Sequence, residues 1–233
     1  MLRQMLKRFI DAELIARMLE VMDRRSDNRM AELGMLGQAF EFVKINDVPG
    51  DYFEFGLWRG KTFGYAHRMM RRYERHGMTL WGFDSFQGLP ETEEHPDNIW
   101  YKGQFACTRP EFEAILKSRG ICRSEYELVE GFYSESLNDA AHRRLSGRKA
   151  AIVYIDCDLY DSTIQVLNFI EPYLVNGSIV CFDDFYNYKA DPEQGEQKAL
   201  ADFMRKETGI SFIPYLTYAP LGKSFICRIK DKE

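Results

Sequence analysis

Hydrophobic residues recur at helical spacing over residues 2–22 and again over about 30–46, which predicts two amphipathic helices at the start of the chain. After a turn at residues 47–50, short apolar runs alternate with amphipathic stretches. The predicted strands are YFEFG (52–56), TLWGFD (79–84), YELVEG (126–131), AAIVYID (150–156) and SIVCFDDF (178–185). Helices are predicted over 61–75, 110–119, 134–146, 162–174 and 193–207. Strands that alternate with helices indicate a parallel, doubly wound α/β sheet.

The end of the chain has a different pattern. SFIPYL (211–216) and KSFICRIK (223–230) are predicted to form a hairpin, which adds an antiparallel edge to the sheet. We expect one domain over residues 48–233, preceded by an N-terminal helical extension over residues 1–47. Its first helix is interpreted as packed on its own domain, as a lid over a site or as a dimer contact. A membrane-surface helix is a further interpretation, which its acidic residues oppose. A homodimer or higher homo-oligomer is therefore the expected assembly.

Composition narrows the function classes. The chain has 233 residues, of which 45% are hydrophobic, and a formal net charge of −5, which argues weakly against a general nucleic-acid binder. No apolar stretch is long enough to span a bilayer, and the N-terminus lacks the apolar centre of a signal peptide, so a cytoplasmic protein is expected. The five cysteines form no CxxC pair, which favours reduced thiols.

Candidate chemistry lies in the loops after the predicted strands, because open α/β sheets bind ligands outside the carboxyl ends of their strands. In FEFGLWRGKT (53–62), Gly56 and Gly60 flank a strand-to-helix turn where a ligand can approach the backbone. Glu54 is a candidate partner for a cationic or amine-bearing ligand, or a solvent-facing residue near the strand end. Asp84 ends the second strand, where dinucleotide-type sites hold a ribose diol, although a turn cap is an equal interpretation.

Carboxylates follow the two strongest strands, in VYIDCDLYDST (153–163) and CFDDF (181–185). If the fourth and fifth strands are neighbours, Asp156, Asp183 and Asp184 converge. Three converging carboxylates repel one another unless a divalent cation is present, and all-oxygen ligation suits Mg²⁺, Mn²⁺ or Ca²⁺. The sequence therefore predicts a site for one of these divalent cations.

The other acids of the first segment have open roles. Asp161 or Ser162 is predicted to cap the next helix. Asp158 is a ligand, a neighbour of the ligands or a substrate contact. Asp156-Cys-Asp158 is also the Asp-x-Asp pattern of metal–nucleotide-sugar sites, so a metal-dependent glycosyltransferase is an alternative. A non-catalytic nucleotide-binding protein is a second alternative.

Taken in order, VPGDYFEFGLWRGKT, FDSFQGLP, VEGFYSESL, YIDCDLYDST and VCFDDF resemble the macrocin-type (TylF-like) class I S-adenosylmethionine-dependent O-methyltransferases, from about Val48 to Phe185. The resemblance implies a Rossmann-like, seven-stranded and mostly parallel sheet with a reversed C-terminal hairpin. It also implies Mg²⁺-dependent methyl transfer from S-adenosylmethionine to a hydroxyl of a sugar, a sugar-containing metabolite or a glycan.

The same resemblance assigns roles to individual residues. It implies that Glu54, Gly56 and Gly60 line the methionine end of the cofactor and that Asp84 holds the ribose hydroxyls, with Ser85 and Phe86 beside it. It also implies that Gly131 and Phe132 lie near the adenine. The implied metal ligands are Asp156, Asp183 and Asp184. The family's base is a histidine in the long loop after the second strand. WYKGQFACT (100–108) contains no histidine, so His95 is the candidate base that this loop offers.

Overall fold

The computed structural model of the chain describes residues 31–75, 77–92, 100–206 and 208–230. Its strands are β1 (Asp51–Phe55), β2 (Leu80–Asp84), β3 (Tyr126–Glu130), β4 (Ala150–Ile155), β5 (Leu174–Phe182), β6 (Ile210–Tyr218) and β7 (Gly222–Ile229). They form one seven-stranded sheet in the order β3-β2-β1-β4-β5-β7-β6. The predicted class of fold is thereby confirmed.

Strand direction places the ligand site. β1 to β5 pair in parallel, while β7 runs antiparallel between β5 and β6, as the predicted hairpin requires. The strand order reverses between β1 and β4, and ligands of open α/β sheets bind at such a switch point. The loops after β1 and β4 are therefore the expected floor of a binding site.

Helices occupy both faces of this sheet. They are α1 (31–45), α2 (Lys61–Arg72), α3 (Arg109–Ser118), α4 (Tyr133–Ser136), α5 (Asp139–Arg144), α6 (Tyr160–Ile170) and α7 (Gly195–Met204). Single 3₁₀ turns precede β3 and β5. The segment Asn187–Ala190 forms a left-handed turn, since φ of residues 188–190 lies between 56° and 60°.

Two sequence predictions about helix ends were wrong. The helix predicted over 134–146 is broken into α4 and α5, because the Asn138 carboxamide oxygen accepts the backbone N–H groups of Ala140 and Ala141 and starts a new helix. Neither Asp161 nor Ser162 caps α6. That helix begins at Tyr160 after Leu159, so Asp161 lies inside the first turn, where a carboxylate faces the positive end of the helix dipole.

Alternation along the strands divides the core into two layers. Tyr52, Leu80 and Tyr154 pack with α1, α2 and α3 on one face. Phe53, Trp81 and Val153, each the sequence neighbour of one of these residues, pack with α6 and α7 on the other face. Because β1 and β4 are buried on both faces, their loops are held against a rigid base.

Helix α1 belongs to the first of these layers. Leu36, Ala39, Phe40 and Val43 are fully buried against the sheet. Residues 1–30, which contain most of the predicted N-terminal extension, lie outside the described residues, so that part of the domain prediction stays a prediction. Among the residues described, no helix has the length and hydropathy needed to cross a membrane.

Candidate active site

A cavity of about 520 Å³ opens at the carboxyl ends of β1, β2, β4 and β5. Five residues predicted to bind the cofactor line it: Gly56, Asp84, Ser85, Gly131 and Phe132. The three predicted metal ligands, Asp156, Asp183 and Asp184, line it as well. The volume is within the range of small-molecule and cofactor sites.

Gly56 forms the floor of the cavity where β1 ends. Its φ is +87°, and a Cβ built there would lie 1.9 Å from the carbonyl oxygen of Asp156. The backbone N–H of Asp156 donates to the carbonyl of Phe55 at 2.9 Å, so the two strand ends are joined at this point. A glycine is needed here because both the backbone conformation and the close approach exclude a side chain.

Asp84 connects the first two loops. One carboxylate oxygen accepts the backbone N–H groups of Leu57 at 2.6 Å and Trp58 at 3.3 Å, and the other accepts that of Phe86 at 2.6 Å. Burial raises the pKa of Asp84, and these backbone N–H groups oppose the rise. The side chain is thus a brace between loops as well as part of the cavity wall.

Three residues assigned to the cofactor do not line the cavity. Glu54 is fully buried beneath it, and its carboxyl group accepts hydrogen bonds from Tyr52 Oη and, at 2.5 Å, from Thr62 Oγ1. Gly60 has φ of +63° and faces Phe112, whose Cε2 would lie 2.8 Å from an added Cβ. Phe86 is buried against the same Phe112 ring, with 5.7 Å between ring centroids.

Burial raises the pKa of Glu54 from 4.5 to about 8, against the lowering effect of the Thr62 and Tyr52 hydroxyls. The folded chain therefore holds a proton that the unfolded chain releases above pH 4.5, and stability falls as pH rises towards 8. Because of this group, we expect the unfolding free energy to fall by about 3 kcal/mol between pH 5.5 and 7.5. Glu54→Gln removes the titration, so denaturant unfolding of this variant depends less on pH.

The exposed substitution Glu135→Gln is the matched control, and it keeps the pH dependence of the wild type. If Glu54→Gln unfolds with the same pH dependence as the wild type, Glu54 is not the titrating group.

The acidic cluster of the cavity differs in membership from the predicted one. Ligand oxygens of Asp156, Asp158 and Asp184 all lie within 4.8 Å of one another. Asp183 lines the same cavity but lies outside this group of three, and Tyr154 Oη donates to its Oδ1 at 2.5 Å. Asp158, whose role the sequence left open, joins Asp156 and Asp184 in the group.

Burial and mutual repulsion both disfavour the charged form of the carboxylates in this cluster. Burial raises the pKa of Asp156 well above its usual range, and Asp183, Asp184 and Asp158 raise it further. Burial also raises the pKa of Asp158 to about 6, although its hydrogen bond with Asp184 lowers it. Carboxylates in this arrangement either share protons or bind a cation.

Glu196 stands directly behind the cluster, on the first turn of α7. It is 1% exposed, and its Oε2 accepts the backbone N–H of Asp184 at 3.0 Å. Its Oε1 is buried and has no partner among the described residues. Burial and the carboxylates of Asp184, Asp183 and Asp158 raise the pKa of Glu196 well above its usual range. An excess of buried oxygen donors on this wall fits an oxygen-ligated divalent cation.

Aromatic rings surround the mouth of the cavity. Trp58 and Phe105 are 51% and 41% exposed, and their ring centroids are 5.7 Å apart. Trp100 contacts Phe105 and donates from Nε1 to Tyr188 Oη at 2.8 Å, and Tyr188 in turn donates to the carbonyl of Asp158. The mouth is therefore linked by hydrogen bonds to the acidic cluster.

Three residues that line the cavity were not predicted as site residues from the sequence. Glu32 comes from α1, far from any strand end, and Lys61 and Thr62 begin α2 just after the glycine turn. The position of Lys61 and Thr62 at a helix start facing the sheet's carboxyl edge could have identified them. His95, the predicted base, lies outside the described residues, and no histidine lines the cavity among those that are described.

Comparisons with known proteins agree with this geometry. The family model of macrocin-O-methyltransferase (TylF) matches residues 25–211. An 8-demethyl-8-(2,3-dimethoxy-alpha-L-rhamnosyl)-tetracenomycin-C 4'-O-methyltransferase of Streptomyces olivaceus is 27% identical over 163 residues, which cover 67% of this chain and 60% of that protein. A mycinamicin III 3''-O-methyltransferase of Micromonospora griseorubida is 27% identical over 165 residues, which cover 67% of this chain and 63% of that protein. The match thus spans about three fifths of the length of these relatives.

Solved structures give the same picture. The crystal structure of CalS11, a calicheamicin methyltransferase, matches with a TM-score of 0.70 and 26% identity over 97% of this chain and 89% of that one. The O-methyltransferase NovP matches in fold, with a TM-score of 0.69 and 22% identity over 86% of this chain and 81% of that one.

Proposed function

The chain belongs to the macrocin-O-methyltransferase (TylF) family, and we propose that it transfers a methyl group from S-adenosylmethionine to a hydroxyl group of a sugar on a small molecule or glycan. The observation that carries this proposal is one cavity that joins the glycine floor at Gly56 to the acidic cluster. The relatives are named for methylation of sugar-bearing natural products, which supports this acceptor class.

The cavity suits an extended nucleoside ligand. The backbone of Gly56 forms its floor, while Asp84 and Ser85 line one wall and Gly131 and Phe132 line it just after the end of β3. We infer that Asp84 accepts a hydrogen bond from a ribose hydroxyl. Its carboxylate oxygens already accept backbone N–H groups, but each oxygen can accept more than one hydrogen bond. The nucleoside then lies across the ends of β1 and β2.

The acidic cluster suits a divalent cation such as Mg²⁺. We infer that Asp156, Asp158 and Asp184 would hold it, with Asp183 beside them, because their oxygens match the ligands that hard cations prefer. When bound, the cofactor supplies an electrophilic methyl group and the cation lowers the pKa of an acceptor hydroxyl.

The residues of the chain then mainly position the reactants. The loop braced by Asp84 fixes the floor, and the strand ends fix the carboxylates, so that donor and acceptor meet in one orientation. We infer that Trp58 and Phe105 contact the acceptor, because they are the exposed apolar surfaces at the mouth. His95 remains the proposed base. The relatives named above are methyltransferases, which favours this function over the glycosyltransferase alternative.

The proposed activity is tested by calorimetry and by a transfer assay. We expect S-adenosylhomocysteine to bind, and radiolabelled methyl to pass from S-adenosylmethionine to a rhamnose-bearing acceptor such as TDP-rhamnose or a rhamnosyl natural product. EDTA is expected to abolish transfer and Mg²⁺ to restore it. The proposal is wrong if neither S-adenosylmethionine nor S-adenosylhomocysteine binds while a nucleotide sugar does.

A further inference from the structure

A charged pair lines the cavity near Asp183. Lys61 is the first residue of α2 and Glu32 projects from α1, and Lys61 Nζ donates to the Glu32 carboxylate. The Glu32 side chain is 12% exposed and that of Lys61 is 45% exposed. A positive and a negative group therefore lie in contact on one wall of the cavity.

The surroundings of this pair favour a ligand that carries both charges. Burial raises the pKa of Glu32, and the nearby Asp183 raises it further, while Lys61 opposes both effects. Helix α2 begins with no acidic side chain in its first turn and no side-chain cap, so Lys61 stands at the positive end of a helix dipole. An anion is favoured at Lys61, and a cation is favoured between Glu32 and Asp183.

We propose that Lys61 binds the α-carboxylate and Glu32 binds the α-ammonium of the methionine part of S-adenosylmethionine. The proposal rests on the methyltransfer function above and assigns this end of the cofactor to two residues outside the sequence prediction. In an amino acid both charges sit on one carbon, which matches two side chains already in contact. Partly exposed ion pairs contribute little stability, so exchanging their mutual contact for the ligand costs little.

This assignment replaces Glu54 at that end of the cofactor. Glu54 lies beneath the cavity and already accepts hydrogen bonds from Tyr52 and Thr62. Thr62 follows Lys61, lines the cavity and donates to Glu54, so it lies between Glu54 and the site. Arg59 and Thr62 also line the cavity, but Lys61 and Glu32 are the oppositely charged side chains that are already in contact there.

The test separates the two halves of the ligand. S-adenosylhomocysteine carries the amino-acid group, whereas 5′-methylthioadenosine keeps the nucleoside and the thioether sulfur but lacks it. By calorimetry, we expect Lys61→Gln and Glu32→Gln each to lower the affinity for S-adenosylhomocysteine at least tenfold. The same variants should change the affinity for 5′-methylthioadenosine by less than twofold. Lys61→Arg keeps most of the affinity, and Lys117→Gln, on the exposed surface of α3, changes neither ligand.

Each other outcome counts against a stated claim. If the wild type binds S-adenosylhomocysteine and both Gln variants bind it equally well, the role of the pair is wrong while the proposed function stands. If a variant weakens both ligands equally, the pair maintains the shape of the cavity and does not bind the amino-acid end. If the wild type binds neither ligand, the proposed function itself fails, and this proposal with it.

Discussion

Asp156→Asn is expected to abolish Mg²⁺ binding and to lower the methyl-transfer rate by about a thousandfold, the scale of losing a preorganised charged group at a reacting centre. A carboxylate oxygen of Asp156 lies within 4.8 Å of those of Asp158 and Asp184, so it is placed to share a cation with them. The same change removes repulsion between buried carboxylates, so thermal unfolding of the apoprotein should not become easier.

Calorimetry with Mg²⁺ and a single-turnover transfer assay measure both parts of this result. Asp158→Asn and Asp184→Asn should lower the affinity for Mg²⁺ as Asp156→Asn does. Asp183→Asn should lower it less, because Asp183 accepts a hydrogen bond from Tyr154. Asp139→Asn, an exposed change on α5, is the control. Equal Mg²⁺ affinity in the wild type and Asp156→Asn would refute the cation site.

Gly56→Ala is expected to lower the unfolding free energy by about 4 kcal/mol, from backbone strain and overpacking together, and to remove cofactor binding. The strain arises because φ is +87°, and the overpacking arises because the new methyl group would meet the Asp156 carbonyl oxygen. Both effects displace the loop that forms the floor of the cavity.

Gly120→Ala separates the two causes. Gly120 has φ of +77°, but an added Cβ there has no heavy atom within 4 Å. This variant should lose only about 1 kcal/mol and keep S-adenosylhomocysteine affinity. Chemical denaturation compares the two variants. Similar losses in both would mean that the contact with Asp156 relaxes at little cost.

The sequence was sufficient for the class of sheet and for the loops that form the floor of the cavity. Short apolar runs between amphipathic helices allow few topologies, and the rule for carboxyl ends of strands then identified the loops of Gly56, Asp84 and Asp156. Chain order was enough because β4 and β5 do pair as neighbours.

What the sequence could not predict is which contacts a side chain makes near a strand end. Asp183 and Asp184 follow β5 directly and both line the cavity, but the sequence does not show that Tyr154 donates to Asp183 while Asp158 joins Asp156 and Asp184. Glu54 sits in a strand buried on both faces, where no polar–apolar alternation shows its direction. Glu32 reaches the cavity from a helix that no strand-end rule addresses.

The brace made by Asp84 has a consequence for protein engineering. Its carboxylate holds the loop after β1 through Leu57 and the loop after β2 through Phe86. A chimera that takes only one of these loops from a relative therefore disturbs the hydrogen bonds through which Asp84 connects the two loops. We expect such exchanges to preserve the site only when residues 56–62 and 84–88 are transplanted as one module. The proposed acceptor range should therefore be altered through the aromatic residues at the mouth rather than through either loop alone.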